Sequence, residues 1–170
     1  MAISLTHIRA EEAKDIDTIH AITSAAFEGK NYSSGTEAAI IDALRTAGAL
    51  TLSIVAVEND EIVGHVAFSP VTIESGAEEW FGLGPVSVRP DRQGKGIGKA
   101  LIENGLARLR ERGANGCVVL GNPRYYSRFG FTSDGTLHYA DVPVEYFQRI
   151  MFKGPTPKGT VVFHAGFDVA

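Results

Sequence analysis

The stretch Val86-Ser87-Val88-Arg89-Pro90-Asp91-Arg92-Gln93-Gly94-Lys95-Gly96-Ile97-Gly98-Lys99 governs the reading of this chain. It opens as a β-branched strand, crosses five polar or proline-containing positions, and ends in three closely spaced glycines. Immediately beyond, Leu101, Ile102, Leu106 and Leu109 recur among charged residues, which predicts an amphipathic helix over residues 96–111 closed by Gly113. Strand, glycine turn and helix N-terminus thus follow in order. Glycines let a backbone approach an anion closely, and the first turn of a helix leaves up to about four N–H groups without internal partners. The helix dipole adds ~0.3–1 kcal/mol for an exposed anion. Arg92, Lys95 and Lys99 add positive charge, so the turn reads as a site for a diphosphate.

Two familiar phosphate patterns do not fit. A triphosphate-binding P-loop needs Ser or Thr after Gly-Lys, and Gly98-Lys99 is followed by Ala100. A dinucleotide fingerprint needs a small residue where Lys99 or Leu101 stands. A glycine-rich surface turn that only caps a helix stays open as a third reading.

Working outward, residues 3–9 alternate as a half-buried strand, and residues 11–27 place Ala13, Ile16, Ile19, His20 and Ala26 at helical spacings. A second helix starts at Thr36, with Gly48 as its stop. Residues 50–58 and 61–68 flank the turn signal Asn59-Asp60 as a hairpin, and Ser75-Gly76 precedes a strand over 80–88. Further on come a buried strand over 117–120, a helix over 144–151 and a terminal strand over 161–167. The linker-like segment 153–159 is too short to divide the chain, so residues 1–170 read as one domain.

With 44% hydrophobic and 21% charged residues, the composition is that of an ordinary globular protein, and no apolar run is long enough to span a membrane. The N-terminus shows no secretory pattern, which makes the cytoplasm the expected compartment. A net charge of −4 argues against nucleic acid as a partner, so anion recognition must be local. The lone cysteine, Cys117, excludes an intramolecular disulfide and reads as a buried strand residue. His7, His20, His65, His138 and His164 form no metal-ligand spacing, so no metal is expected. Ser127 and Ser33-Ser34 lack the glycine-flanked setting of a hydrolase nucleophile.

Gln93, Gly96 and Gly98 fill the three defined positions of the pattern Gln/Arg-x-x-Gly-x-Gly/Ala, and Val86-Ser87-Val88 precedes it. Downstream, Leu120-Gly121-Asn122-Pro123-Arg124-Tyr125-Tyr126-Ser127-Arg128-Phe129-Gly130-Phe131 supplies a tyrosine, a short helical segment and Gly-Phe. Together these resemble the two ordered motifs of the GNAT acyltransferase superfamily, and most of the chain is similar to bacterial N-acetyltransferases of the YhbS-like type. The resemblance implies an α/β fold, a central, mostly antiparallel sheet with two splayed parallel strands, flanked by helices. It implies acetyl-CoA as co-substrate, its pantetheine arm on the backbone of Val86 and Val88. Its diphosphate would lie on the N–H groups of Gln93, Gly94, Lys95, Gly96, Ile97, Gly98 and Lys99. The side chains of Lys95 and Lys99 read as solvated helix-end lysines rather than direct phosphate ligands, since an N–H cradle needs no particular side chain. Asn122 matches a position that bonds the coenzyme arm, or serves as a turn residue before Pro123.

Tyr126 matches the tyrosine that protonates the departing thiolate, against a reading as an aromatic core residue; Tyr125 does not match and reads as core. A strand N–H near Val86 or Ser87 would stabilise the oxyanion. The chain departs from part of the family at Gly82, where some relatives carry a glutamate base. Glu79, Glu37 and His65 are possible substitutes, and a water relay or an already neutral amine serves as well. The implied activity is direct transfer of acetyl to an amine in a ternary complex. A non-catalytic coenzyme A sensor, or a longer acyl donor, are the alternatives. Acceptor recognition falls to residues 27–37 and 138–151, with Tyr32, Glu37, Tyr139, Asp141 and Tyr146 as the polar candidates. A homodimer through the C-terminal strands is also expected from the resemblance.

Overall fold

The hairpin signal Asn59-Asp60 adopts left-handed φ values of 52° and 63°, the geometry of a type I′ turn, and fixes the register of the strands on either side. In the computed structural model, which describes residues 6–31, 33 and 35–169, those strands are β2 (Leu52–Glu58) and β3 (Glu61–Ile73). Before them come β1 (Thr6–Ala10), α1 (Ile16–Phe27) and α2 (Glu37–Thr46). After them follow β4 (Trp80–Val88), α3 (Ile97–Glu111), β5 (Gly116–Leu120), α4 (Pro123–Tyr126), β6 (Leu137–His138), β7 (Phe147–Met151) and β8 (Gly159–Phe163). The first residues of the strand expected over 3–9, and Tyr32 and Ser34, lie outside the described residues.

The strands run β1-β2-β3-β4-β5-β7, antiparallel except for the parallel pair β4 and β5. The far end of β3 pairs with β8, which in turn pairs with β6. α3 covers one face through Ile97, Leu101, Ile102, Leu106 and Leu109, all packed with Val66, Phe68 and Phe81. α1 and α2 cover the other through Ile19, Ile22 and Ile41 against Val55, Val57 and Ala67. Burying each such aliphatic chain contributes roughly 1.5–3 kcal/mol. This mixed, open sheet flanked by helices is the architecture expected.

Three expectations need correction. Residues 144–151 are not a helix: Val144–Tyr146 is a single 3-10 turn after Pro143, and β7 follows. A helix would put Phe147 and Ile150 on one face, whereas here Phe147 packs with Trp80 and Tyr139 and Ile150 joins the α3-side core. The alternation satisfies the free edge of β5. The terminal strand is β8, earlier than expected, and Ala165–Asp168 is a 3-10 turn. α1 starts late because Glu12 and Asp15 cap a 3-10 turn at Ala13–Asp15.

α3 approaches the sheet closely at Gly105, where a Cβ would overlap the Phe68 ring. Gly105→Val should therefore cost about 1–3 kcal/mol, read as a lower urea midpoint; an unchanged midpoint would contradict this packing.

Candidate functional site

β4 and β5 touch only through Trp80–Gly116, Phe81–Cys117 and Gly82–Val118. Past Gly82, β4 stays with β3 and leaves β5. The departure coincides with a bulge, since Val66 faces Val86 and Phe68 faces Leu83, so β4 advances three residues against two of β3. Gly84, at φ 125°, takes the conformation this demands. A wedge opens between residues 83–88 and Val119-Leu120. Among the described residues, 83–88 have no strand partner on the β5 side. Val86 and Val88 are half-buried on its wall, and Leu120 is 45% exposed.

The glycine turn closes the wide end of the wedge. Gly94 and Gly96 hold φ of 77° and 84°, and a Cβ at either would meet nothing within 4 Å, so left-handed backbone rather than crowding demands glycine. Gly96 is the N-cap of α3 and supplies no side-chain cap. Among the described residues, the N–H groups of residues 93–99 find no turn, loop or cap acceptor, and the helical series starts with Ala100 N–H on Gly96 O at 3.1 Å. Gln93 donates from Nε2 to Val88 O at 3.0 Å, tying the turn to the end of β4. The side-chain charges divide. Arg92 is held by Glu58 at 2.9 Å and Asp91 at 3.1 Å, so it is spent on the scaffold. Lys99 lies 3.9 Å from Glu103, both chains well exposed, and Lys95 is exposed.

Opposite, the turn after β5 is fastened to β7 and the turn before it, by Gly121 N–H on Tyr146 O at 2.9 Å and Gln148 Nε2 on Gly121 O at 3.1 Å. Asn122 caps α4, its Oδ1 accepting from Arg124 N–H at 2.9 Å. Its carbonyl oxygen is thereby committed, and its amide Nδ2 is the group left to face a ligand. The Tyr126 ring lies on Gly121, where any Cβ would collide with it, and contacts Tyr125 and Phe131 at centroid distances of 5.0 and 5.9 Å. Burial, reinforced by Tyr125 and Cys117, pushes the Tyr126 phenol up to about 12. Tyr125 is more than a core aromatic: its hydroxyl reaches to 3.4 Å from where a Gly98 Cβ would sit, and Arg128 stacks on its ring at 4.6 Å.

On the α1/α2 face lies a cleft of about 640 Å³ lined by Thr23, Phe27, Glu28, Ser33 and Glu37 among others. Glu37 accepts from Ser33 Oγ at 2.7 Å. Of the other acceptor-side candidates, Tyr139 is packed between Phe147 and Phe163, Asp141 is exposed and Tyr146 is 45% exposed. Glu79 is exposed at the end of β4 remote from the glycine turn. At Gly82 a Cβ would stand 2.6 Å from the Phe163 ring and 3.2 Å from Val71, so the ring fills the space that a glutamate side chain would need.

His65, fully buried, sits on the same face. Its Nε2 lies 2.7 Å from Ser53 Oγ, which donates a short hydrogen bond to Glu11; Glu11 is clamped by Arg45 at 2.9 and 3.2 Å. Local motifs gave no signal for Ser53, Glu11 or Thr23, since their grouping arises from pairing across the sheet. Burial pulls the His65 imidazole down to about 4, Glu11 opposing and Arg45 adding to the fall. An unfolded histidine titrates near ~6.5, so the neutral buried ring costs nothing above that pH and destabilises the fold by roughly 3 kcal/mol as the pH drops toward 4. Urea unfolding from pH 7 to pH 4 should show this loss, and His65→Gln should flatten the slope; equal slopes would contradict a neutral His65.

The family profile described as "Acetyltransferase (GNAT) domain" matches residues 7–133. The N-acetyltransferase YhbS of Escherichia coli (strain K12) is 38% identical over 125 residues, covering 73% of this chain and 72% of the relative. A GNAT family acetyltransferase from Brucella melitensis, solved in complex with acetyl-CoA, matches with a TM-score of 0.87 at 49% identity, covering 96% of this chain and 99% of that one. The structure of E. coli YhbS in complex with CoA matches with a TM-score of 0.90 at 31% identity, covering 99% and 95%. On the profile, the relatives and the structural match, this chain belongs to the GNAT acetyltransferase family.

Proposed function

We propose that this protein transfers the acetyl group of acetyl-CoA directly to an amine in a ternary complex. The observation that carries the reading is the wedge between β4 and β5, which opens onto the N–H groups of residues 93–99. A diphosphate fits the helix N-terminus and its left-handed glycines. The amide-bearing pantetheine arm fits the edge of β4 at Val86 and Val88 that has no strand partner, where Val88 O is already held by Gln93 Nε2. Gln93 contributes its backbone N–H while its side chain holds the turn, and Gly94, Lys95, Gly96, Ile97, Gly98 and Lys99 complete the cradle. Asn122 offers its Nδ2 to the arm. Relatives solved with acetyl-CoA and with CoA support the choice of donor.

Chemically, the amine nitrogen attacks the thioester carbonyl, a β4 N–H near Val86 or Ser87 receives the oxyanion, and the C–S bond breaks. Tyr126 donates its phenolic hydrogen bond, and then its proton, to the departing sulfur. A phenol held near 12 would be a poor acid for a solvated thiol near ~8.5. A sulfur leaving inside a closed site is desolvated as the phenol is, and its thiol rises with it, which narrows the gap between donor and acceptor. The cleft lined by Thr23, Glu28 and Glu37 receives the amine. In the same reading, residues 1–170 form one domain, the protein works in the cytoplasm, and copies pair through the C-terminal strands, where Val162 of β8 is 56% exposed. No helix among the described residues is long and apolar enough to cross a membrane.

Thiol release from acetyl-CoA over a panel of primary amines tests the reading; its absence with every amine sinks it. Tyr126→Phe should lower kcat by roughly 10- to 1000-fold with the KM for acetyl-CoA changed less than about threefold. Gly96→Glu, which adds a negative charge and forces a side chain into left-handed backbone, should weaken acetyl-CoA binding at least about tenfold by calorimetry. Wild-type affinity in that variant would remove the cradle assignment.

A further inference from the structure

Acetyl transfer leaves one proton to be placed, the one the attacking amine must lose, and the ring of Phe163 occupies the space beside Gly82 where a carboxylate base would stand. Resting on the acetyl-transfer reading above, we propose that His65 takes this proton through the hydroxyl of Ser87, with Ser53 and Glu11 holding the imidazole in the tautomer that can receive it.

His65 lies on β3 directly opposite Ser87 on β4, so their side chains share the α1/α2 face of the sheet. Ser87 is 3% exposed and belongs to the part of β4 that has left β5, where the acetyl-transfer reading puts the thioester. Its Oγ is 3.3 Å from Oγ1 of Thr23, a residue that lines the acceptor cleft. Thr23 spends its own proton on Ile19 O at 2.8 Å, so between the two hydroxyls Ser87 is the donor. Ser87 Oγ makes no hydrogen bond to His65 Nδ1 in the resting structure, so the relay requires the Ser87 side chain to turn about χ1 from Thr23 toward the ring opposite it on β3.

The other side of the ring fixes what it finds there. The Ser53 hydroxyl donates to Glu11, so Ser53 Oγ can only accept from the ring, and Nε2 carries the hydrogen. Nδ1 is then a bare lone pair, and it is one of two fully buried side-chain polar atoms without a partner among the described residues. A buried acceptor without a hydrogen bond costs roughly the desolvation of the group, and its retention calls for a use. The second such atom, Ser69 Oγ, is also on β3, opposite Gly82.

The step balances without a further reagent. The amine nitrogen forms the C–N bond and gives its proton to Ser87 Oγ, while the Ser87 hydroxyl proton passes to His65 Nδ1. The imidazolium formed is transient, because burial disfavours the charged ring; Glu11, reached through Nε2–H and Ser53, opposes that penalty in part. After product leaves, Nδ1 returns its proton by way of Ser87 to water in the acceptor cleft. The charged groups around the ring are Glu11, after β1, and Arg45 on α2, itself paired with Asp42 at 3.3 Å; β2, β4 and α1 present the neutral Ser53, Ser87 and Thr23. His65 does not touch substrate and acts as a positioning and relay residue.

The experiment is thiol release from acetyl-CoA with a primary amine that the wild type accepts, for Ser87→Ala, Ser87→Thr, His65→Gln and the double variant, across pH 6 to 9. Ser87→Ala and His65→Gln should each lower kcat by about 10- to 100-fold with little change in KM, and convert a pH-independent plateau into a rate that climbs with hydroxide. The double variant should be no slower than the slower single, and Ser87→Thr, which keeps the hydroxyl, should restore most of the rate. Ser87→Ala with wild-type kcat and pH profile, or single losses that multiply in the double, would overturn the relay. Nitrogen NMR of the wild-type histidines reads the tautomer without any substrate, and a proton on His65 Nδ1 at pH 7 would overturn it independently. A wild type that releases no thiol with any amine overturns the parent reading and the relay with it.

Discussion

Three residue pairs join β4 to β5, and then the strands part. An internal parallel strand normally has both edges hydrogen-bonded, because a backbone N–H or C=O buried without a partner costs about 1–3 kcal/mol. Here the bulge at residues 83–86 keeps β4 on β3 and carries it away from β5, leaving a row of backbone groups facing an open wedge. That wedge is affordable only because each flank is anchored elsewhere: β4 by the long β3, β5 by β7, and α3 by a core in which Leu101, Ile102 and Leu109 are fully buried. The free edge and the free N–H groups of the α3 N-terminus then lie on one continuous path.

The same divergence sets which groups can act. It brings α4 over the end of β5, so that Tyr126 rests on Gly121 at the wall of the wedge, and it leaves Ser87 facing the other layer, where α1 contributes Thr23. In the proposed reaction, thiol departure and amine deprotonation are served from opposite sides of one strand. Arg92 and Arg45 are held by Glu58 and Glu11, whereas Lys95 and Lys99 stay exposed beside the turn.

The backbone geometry of the proposed donor half was legible in the sequence because its parts are contiguous. Glycines at 94, 96 and 98, a helix behind them and Tyr126 beyond the next strand are local signals, each tied to a backbone requirement. Gly121 was readable as part of a motif, but its reason, room for the Tyr126 ring, required the structure. The acceptor half was not legible. Phe163 reaches Gly82 from 81 residues away, and His65 meets Ser53, Glu11 and Ser87 only through strand pairing. The misread segment 144–151 fails for a related reason: Phe147 and Ile150 fit a helical spacing, and only the exposed edge of β5 decides that they alternate instead.

The claim on which all of this depends is that the wedge and the glycine turn receive the acyl donor together. Hydrogen–deuterium exchange with and without acetyl-CoA measures it at the backbone groups themselves. Slower exchange on adding acetyl-CoA at residues 83–88 and 93–99, with the α1 and α2 segments unchanged, is the predicted result. Unaltered exchange at both stretches, or protection confined to another part of the molecule, would contradict it.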